Sequence, residues 1–452
     1  MGMRIVAGAA TALALMAGSC GDEGVQPAPP TAVTPTDDVA SISTTTRVVL
    51  TDSWPGVTSD TIHLGIVDTD LQQLEDLGLI DNNQGDGELV VEALVDDLNA
   101  RGGILGRRVE FSFELVLPIN PADAEAACLR LTQDQQVFAV LGSFVGPTVG
   151  VDPCITDFGE TIMIGGAPTA ADLERARAPW LTTGMSAARA LPAIVQLMSD
   201  EDVLEGGLAV VWAVEDEQSA RDLVLPELDR LGHDVVVEAA QLADAGDRQA
   251  LESEWSTLVE RFRSEGVETV VLVQQSAGIN GANHLALLDW EGETVIIGPA
   301  VLTSIGITAQ VPREELAGVM GTMGPSGEEA YALPETQRCV DVLESAHPDI
   351  TVTPADELAA GETDWSGPLL THCTRLRLFE KIATAVGPDL TPESFRTAAE
   401  GLGEIDLPGI PFASLGPGKF DVSDTQRLAV FDPSIGEFGR AAPNGELVRV
   451  DG

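Results

Sequence analysis

Five histidines are scattered through the chain, at His63, His233, His284, His347 and His372. None stands at the H-E-x-x-H spacing that sets two imidazoles over a metal on one helix face. His63 lies inside a strand-like run and reads as a structural histidine. No G-x-S-x-G elbow offers a serine nucleophile, and the glycine-rich stretches form neither a phosphate loop nor a dinucleotide fingerprint. Acidic pairs such as Asp96-Asp97 sit on a helical pattern and read as a solvated face. These residue types argue against an enzyme and imply no cofactor and no metal. What remains is recognition. Gly142-Ser143-Phe144-Val145-Gly146-Pro147-Thr148 follows an apolar run and precedes a helical one. Free backbone N–H groups at such a junction hold a carboxylate or another anion, and Ser143 and Thr148 add hydroxyls. Gly165-Gly166-Ala167-Pro168-Thr169 makes a similar junction, where Thr169 either meets a ligand or caps a helix. Asp68-Thr69-Asp70, after the first strand-like run, is a third contributor.

The elements that must position these loops are legible in bulk. The 452 residues exceed one compact core and predict two lobes. Acidic residues number 72 against 24 basic, a formal net charge of -48, which excludes nucleic acid as a partner and predicts a solvated acidic surface. Apolar content is 44% and aromatic content 4%, with Tyr331 the one tyrosine. Arg4, the apolar run Ile5 to Met16 and Ala17-Gly18-Ser19-Cys20 read as a signal peptide over residues 1–19. Its end resembles the lipobox of bacterial lipoproteins, which implies a lipidated Cys20, attachment to a bacterial membrane by that anchor alone, and a location at the cell surface or in the periplasm. Residues 20–58, rich in Pro, Thr, Ser and Asp, read as a disordered tether spanning on the order of 35 Å. The remaining Cys128, Cys154, Cys339 and Cys373 predict disulfides in an exported chain. Three connectivities are open, and pairing nearest neighbours closes the shortest loops.

From Thr61 onward, strand-like runs alternate with helical patterns. The runs are Ile62–Val67, Val109–Leu115, Phe138–Leu141 and Ile162–Ile164, and then Leu208–Trp212, Val235–Val237, Thr269–Val273 and Val295–Ile297. Helices are expected over 88–101, from Asn120 (as cap) and Pro121 onward, over 217–231 ended by Gly232, and near 335–347 and 368–386. A last strand is expected at Leu428–Phe431. Such alternation predicts right-handed βαβ units in an α/β fold of two doubly wound, Rossmann-like lobes. One lobe is expected from 59–183 plus 325–400, the other from 184–324 plus 401–452.

Asn99-Ala100-Arg101-Gly102-Gly103-Ile104-Leu105-Gly106-Arg107-Arg108-Val109 resembles the N-x-x-G-G-I-x-G-R-x-V turn of the branched-chain amino-acid type of periplasmic binding proteins. Asp123 to Cys128 and Val137 to Gly142 are similar to the next helix and strand of that family. The resemblance runs from about residue 60 to the end, most strongly over 60–170. It implies a type I fold with a three-strand hinge, a ligand in the cleft at the carboxyl ends of the strands, and a first-lobe disulfide at Cys128–Cys154. It also implies a monomer that hands its ligand to ABC permease subunits. Over 142–148 it implies carboxylate binding, with Ser143, Phe144, Gly146 and Thr148 at the ligand. At 165–169 it implies that the Ala167 carbonyl and the Thr169 hydroxyl receive an ammonium, and Asp68 and Thr69 join them. The second lobe departs from the family. Glu215-Asp216-Glu217-Gln218-Ser219 lacks the aromatic that closes over the ligand, and Gln274 to Asn280, with Gln275 and Ser276, lacks the acid that meets the ammonium. Glu215, Asp216, Gln218, Gln275 and Ser276 are the expected contacts there. The expected ligand is a small, polar, carboxylate-bearing, amino-acid-like molecule. The alternative is a ligand-sensing lipoprotein of the same fold that signals to a partner.

Overall fold

Runs of Val, Ile and Leu without polar alternation belong to strands covered on both faces, and here they form two separate sheets, the first parallel throughout and the second parallel with antiparallel strands at one edge. The computed structural model describes residues 49–450 apart from 81, 244–246, 300, 307, 360 and 436–438. The expected signal peptide and Cys20 lie outside the described residues, as does most of the expected tether.

The first sheet holds β1 (Thr61–Thr69), β2 (Arg108–Val116), β3 (Ala139–Gly142), β4 (Ile162–Ile164) and β5 (Trp180–Leu181), in the order β2-β1-β3-β4-β5 and parallel throughout. With it come helices α1 (Leu71–Asp76), α2 (Gly87–Ala100), α3 (Pro121–Leu129) and α4 (Ala170–Arg175). The second sheet is built on β6 (Gly207–Ala213), β7 (Val235–Gln241), β8 (Val267–Val273), β9 (Glu293–Ile297) and β10 (Met320–Met323). Its helices include α5 (Ala187–Asp200), α6 (Glu217–Ser219), α7 (Leu225–Leu231), α8 (Arg248–Glu265) and α9 (Gln274–Leu287). The chain then returns through α10 (Gly327–Tyr331), α11 (Pro334–Ala346), α12 (Ser366–Val386), α13 (Pro392–Glu400) and the antiparallel pair β11 (Gly403–Glu404) and β12 (Ser414–Leu415). It ends on β13 (Thr425–Asp432), antiparallel to β10, and on β14 (Arg440–Pro443) and β15 (Val448–Arg449), both paired with β13.

Each sheet carries apolar packing on both faces. On the first sheet, Ile66, Leu141 and Ile164 meet Leu94 and Leu98 of α2 and Leu369 and Phe379 of α12. That cluster runs on through Ile405, Leu407, Leu415 and Val422. The next residues along the same strands, Val67, Val140 and Met163, point the other way, to Cys128, Leu131 and Ile155. In the second sheet Val211, Leu272 and Ile296 pack on Trp255 and Phe262, while Val210, Val271 and Ile297 pack on Leu191, Ile194 and Leu228. Disulfides join Cys128 to Cys154 and Cys339 to Cys373, the nearest-neighbour connectivity. The first ties α3 to the turn after β3; the second ties α11 to α12.

The Asn99–Val109 turn shows why its residues are needed. The Asn99 side-chain amide donates to Val109 O and accepts from Val109 N, at 2.9 and 2.8 Å, locking the end of α2 to the second residue of β2. Gly103 has φ +64°, and a Cβ there would lie 1.9 Å from Arg107 O. Arg107, fully buried, donates to the carbonyls of Thr58, Thr51 and Pro388. One local expectation is corrected: Asn120 stands at the N-cap of α3, but its side chain makes no capping bond. The helix expected over 217–231 runs unbroken to Gly232 (φ +83°), widening into a single π-turn at Ala220–Val224, where Pro226 withholds an N–H.

The chain passes between the sheets after β5, after β10 and before β13. Thr182 N donates to Phe420 O and Val422 N donates to Thr182 O, both at 2.9 Å. Beside them lies a buried charge cluster. Arg189 donates to Asp421 at 2.7 Å and to Asp424 at 2.6 Å, and Lys419 Nζ donates to Asp424 at 2.8 Å. Ser186 N also donates to Asp421 Oδ2, at 2.7 Å. Burial works to raise the Asp424 carboxyl, but the bonds from Lys419, Ser414 and Arg189 outweigh it and hold it below its ordinary value. Arg189→Leu leaves two carboxylates buried with one cation and should cost about 3–5 kcal/mol in urea unfolding. The stabilisation from Asp424 is complete above its unfolded pKa of ~3.9 and is lost as pH falls through the depressed folded value. Melting temperature should therefore drop more steeply in acid for the wild type than for Asp424→Asn. Parallel curves would show that Asp424 contributes nothing there.

Candidate functional site

The crevice at the carboxyl end of the first sheet forms where the order β2-β1-β3-β4-β5 switches direction, between β1 and β3. The helices after these two strands leave by opposite faces of the sheet. Asp68 and Thr69 close β1 on one side of this point, and Gly142 closes β3 on the other.

Asp68 is anchored. Its Oδ1 accepts from Thr69 N at 2.8 Å, and its Oδ2 accepts from His372 Nε2 at 3.2 Å, across 304 residues of sequence. Burial acts to raise the Asp68 carboxyl, but the hydrogen bond and field of His372, the Thr69 N–H and the charge of Arg375 together hold it below its usual value. Asp70 is spent on capping α1 through Gln73 N. Asp68, Thr69, Asp70 and His372 wall a cavity of about 470 Å³ that also takes in Asp86, Phe113, Leu115 and Thr371. A larger hollow of about 830 Å³ lies among α2, α11 and α12, away from the strand ends. Its charges are largely paired with one another, Arg101 with Asp97 and Glu380, and Arg377 with Glu380.

The loop after β3 already holds a carboxyl group, and it is the protein's own. Phe144 N donates to Asp152 Oδ1 at 2.9 Å, while Asp152 Oδ2 is buried without a hydrogen-bond partner among the described residues. Gly166 (φ +71°) approaches this second oxygen so closely that a Cβ would lie 2.8 Å from it. Burial pushes the Asp152 carboxyl up to about 7; the Phe144 N–H opposes this, Asp172 adds to it, and the charge of Arg375 again opposes it. Arg375, on α12, is felt as a charge by both Asp68 and Asp152, and burial drives its own pKa down. Asp152, His372 and Arg375 have no motif around them, and sequence reasoning missed all three. The one hint was that the loop's N–H groups invited a carboxylate, and an aspartate follows four residues after Thr148.

The other expected residues divide by what their polar atoms already do. Phe144 is buried in the core and Thr148 is fully buried, its hydroxyl donating to Val145 O at 2.7 Å. Ser143 is half-buried, and Gly146 and Ala167 are exposed. The Thr169 hydroxyl donates to Asp172 Oδ2 at 2.7 Å in a capping box on α4. At the ends of β6 and β8, the Ser276 hydroxyl donates to Glu215 Oε1 at 2.6 Å, bringing those two loops together. Asp216 beside them is pushed up to about 6 by burial and by Glu215. Gln218 and Gln275 are exposed. Among the described residues no cluster of His, Cys, Asp and Glu could hold a metal, and no helix is long and apolar enough to cross a membrane.

The raised Asp152 value has a definite sign. Between its unfolded value of ~3.9 and about 7, the folded chain keeps a proton that the unfolded chain releases, so stability falls as pH rises across that window. Asp152→Asn keeps an oxygen for Phe144 N and removes the titration. It should flatten the slope and exceed the wild type at pH 8 by a few kcal/mol, on the order of 2–4. Chemical denaturation at pH 5 and pH 8 measures this, and equal wild-type stability at both would contradict it.

Comparison with known proteins follows this geometry. A family model described as "Periplasmic binding protein" matches residues 78–429. No curated protein matches the chain. Among solved structures, a solute-binding protein of an ABC transporter from R. palustris in complex with 4-hydroxybenzoate is similar at 14% identity and a TM-score of 0.58, over 86% of this chain and 98% of that one. A fatty acid ABC transporter substrate-binding protein from Thermomonospora curvata is similar at 15% identity and 0.57, over 87% and 94%. An ABC transporter substrate-binding protein from Desulfitobacterium hafniense in complex with Leu is similar at 11% and 0.59, over 85% and 100%. At these identities the likeness is one of fold.

Proposed function

The chain belongs to the periplasmic binding protein family, and from that premise we propose that it captures a small carboxylate-bearing molecule between its two sheets and delivers it to an ABC importer, without reacting with it. The observation that carries this reading is architectural. Two separately cored, mainly parallel sheets are joined by three passages, and polar loops lie at the carboxyl ends of β1, β3, β6 and β8. Open α/β sheets bind ligands at those ends. We further propose that Cys20 carries a lipid anchor and that the body acts as a monomer.

A carboxylate is favoured over other ligands by two supports. The 4-hydroxybenzoate, fatty acid and leucine named for the three similar structures have that group in common. The first-sheet crevice also has a buried guanidinium, Arg375, whose Nε has no partner among the described residues. An α-amino group is less well served. Thr169 is committed to its cap and Ser276 already occupies Glu215. Ligand identity is read from thermal shift of the full chain against carboxylates and their amides. A specific carboxylate at 100-fold its Kd should stabilise by about 2.7 kcal/mol while its amide does not. Equal shifts from acid and amide would rule out the carboxylate reading.

A further inference from the structure

Resting on that carboxylate reading, we propose that Arg375 anchors the ligand's carboxylate at the switch point between β1 and β3, and that Asp152 takes up a proton as the ligand binds. Arg375 stands one turn along α12 from His372 and so shares its helix face. Helical side chains tilt toward the N-terminus, which on α12 is the end beside the 470 Å³ cavity; Gly367, Pro368, Thr371 and His372 line that cavity, and Arg375 follows one turn behind them. The guanidinium is felt as a charge by both Asp68 and Asp152, without a hydrogen bond to either among the described residues. Its Nε is buried and unpartnered among the described residues, while the residue as a whole keeps partial exposure.

The accounting of donors and acceptors selects the ligand group. Asp68 is engaged at both oxygens, by Thr69 N and His372. Asp152 is engaged at one, by Phe144 N. Arg375 is the group with donors to spare. A guanidinium has five N–H donors in a planar fork and no acceptor, and a carboxylate meets that fork with two parallel bonds. An ammonium ligand would instead face this cation across a short gap. Phe113 and Leu115, which line the cavity together with His372, offer an apolar surface to the rest of the molecule.

The proton follows from charge. Asp152 accepts from Phe144 N and feels the charges of Arg375 and Asp172, while Asp68, bonded to His372, feels the same arginine. Arg375 is the cation that favours ionised Asp152. A ligand carboxylate on Arg375 cancels that help and adds a negative charge, so an ionised Asp152 takes one proton from solvent. Binding and protonation are then linked, and affinity falls as pH rises through and above about 7.

The test is calorimetry on the full chain with 4-hydroxybenzoate, octanoate and L-leucine as probes, at pH 6 and pH 8, in pairs of buffers with different ionisation heats. A bound probe should show uptake of up to one proton at pH 8 and little at pH 6, and Asp152→Asn should abolish the uptake. Arg375→Gln should weaken binding by about 30-fold or more, as expected when one partner of a desolvated charge pair is lost. Arg375→Lys, which keeps the charge and loses the fork, should recover part of it. Should Arg375→Gln fail to fold, Arg375→Lys and Asp152→Asn carry the comparison. Wild-type affinity in a folded Arg375→Gln, or no proton uptake by the wild type, overturns the anchor and leaves the carboxylate reading standing. If none of the three carboxylates binds the wild type, the reading falls and takes the anchor with it.

Discussion

The two sheets have separate cores, so their relation depends on what happens where the chain passes between them, and there Arg189 holds Asp421 and Asp424 together. Removing two carboxylates and two cations from water is expensive, and an apolar cluster of equal volume would often serve stability better. What charges add is direction. Arg189 comes from the helix that follows the first passage, and Asp421 and Asp424 flank the last, so the fork fixes two passages against each other at hydrogen-bond distances. Arg427 and Glu329 add a second bond between the strand after the last passage and the helix after the middle one. Two acids and two bases in the main cluster balance, so no net charge is left buried.

The crevice depends on the same logic one layer up. The Cys128–Cys154 disulfide clamps the turn two residues beyond Asp152 to α3, and the Cys339–Cys373 disulfide clamps α12 just after His372 and two residues before Arg375. Asp152, His372 and Arg375 therefore each lie within two residues of a covalent staple. Buried polar groups left partly unsatisfied, such as Asp152 Oδ2 and Arg375 Nε, are costly. They persist where the surrounding structure overdetermines their position.

The fold was legible because it is written in local terms. Buried parallel strands must be apolar throughout, and Ile62–Val67, Phe138–Leu141 and Thr269–Val273 say so directly. The Asn99–Val109 turn declared itself because a side-chain bridge, a positive-φ glycine and a buried arginine all fall within eleven residues. The site was less legible, for two physical reasons. Hydroxyls that look free in sequence find partners within a few residues, as Thr148 does at Val145 O and Thr169 at Asp172. The groups that matter at the switch point, by contrast, come from opposite ends of the chain. His372 meets Asp68 across 304 residues, and no spacing rule reaches that far.

A net charge of -48 seems at odds with a carboxylate ligand, yet the two belong to different length scales. The field of exposed carboxylates decays over about 8 Å at physiological salt. It governs solubility and the speed of approach, and it slows an anion in dilute buffer more than in brine. Inside the crevice the nearest charges decide. There Asp68 is stabilised as a carboxylate by its bonds, burial holds the Asp152 carboxyl above its ordinary value, and Arg375 acts as a cation on both. For the proposed anion, a guanidinium sheltered from solvent counts more than many exposed carboxylates. The Arg375 guanidinium is buried on α12 with its Nε unpartnered among the described residues, and burial that keeps Asp152 protonated lowers the negative charge such a ligand would meet.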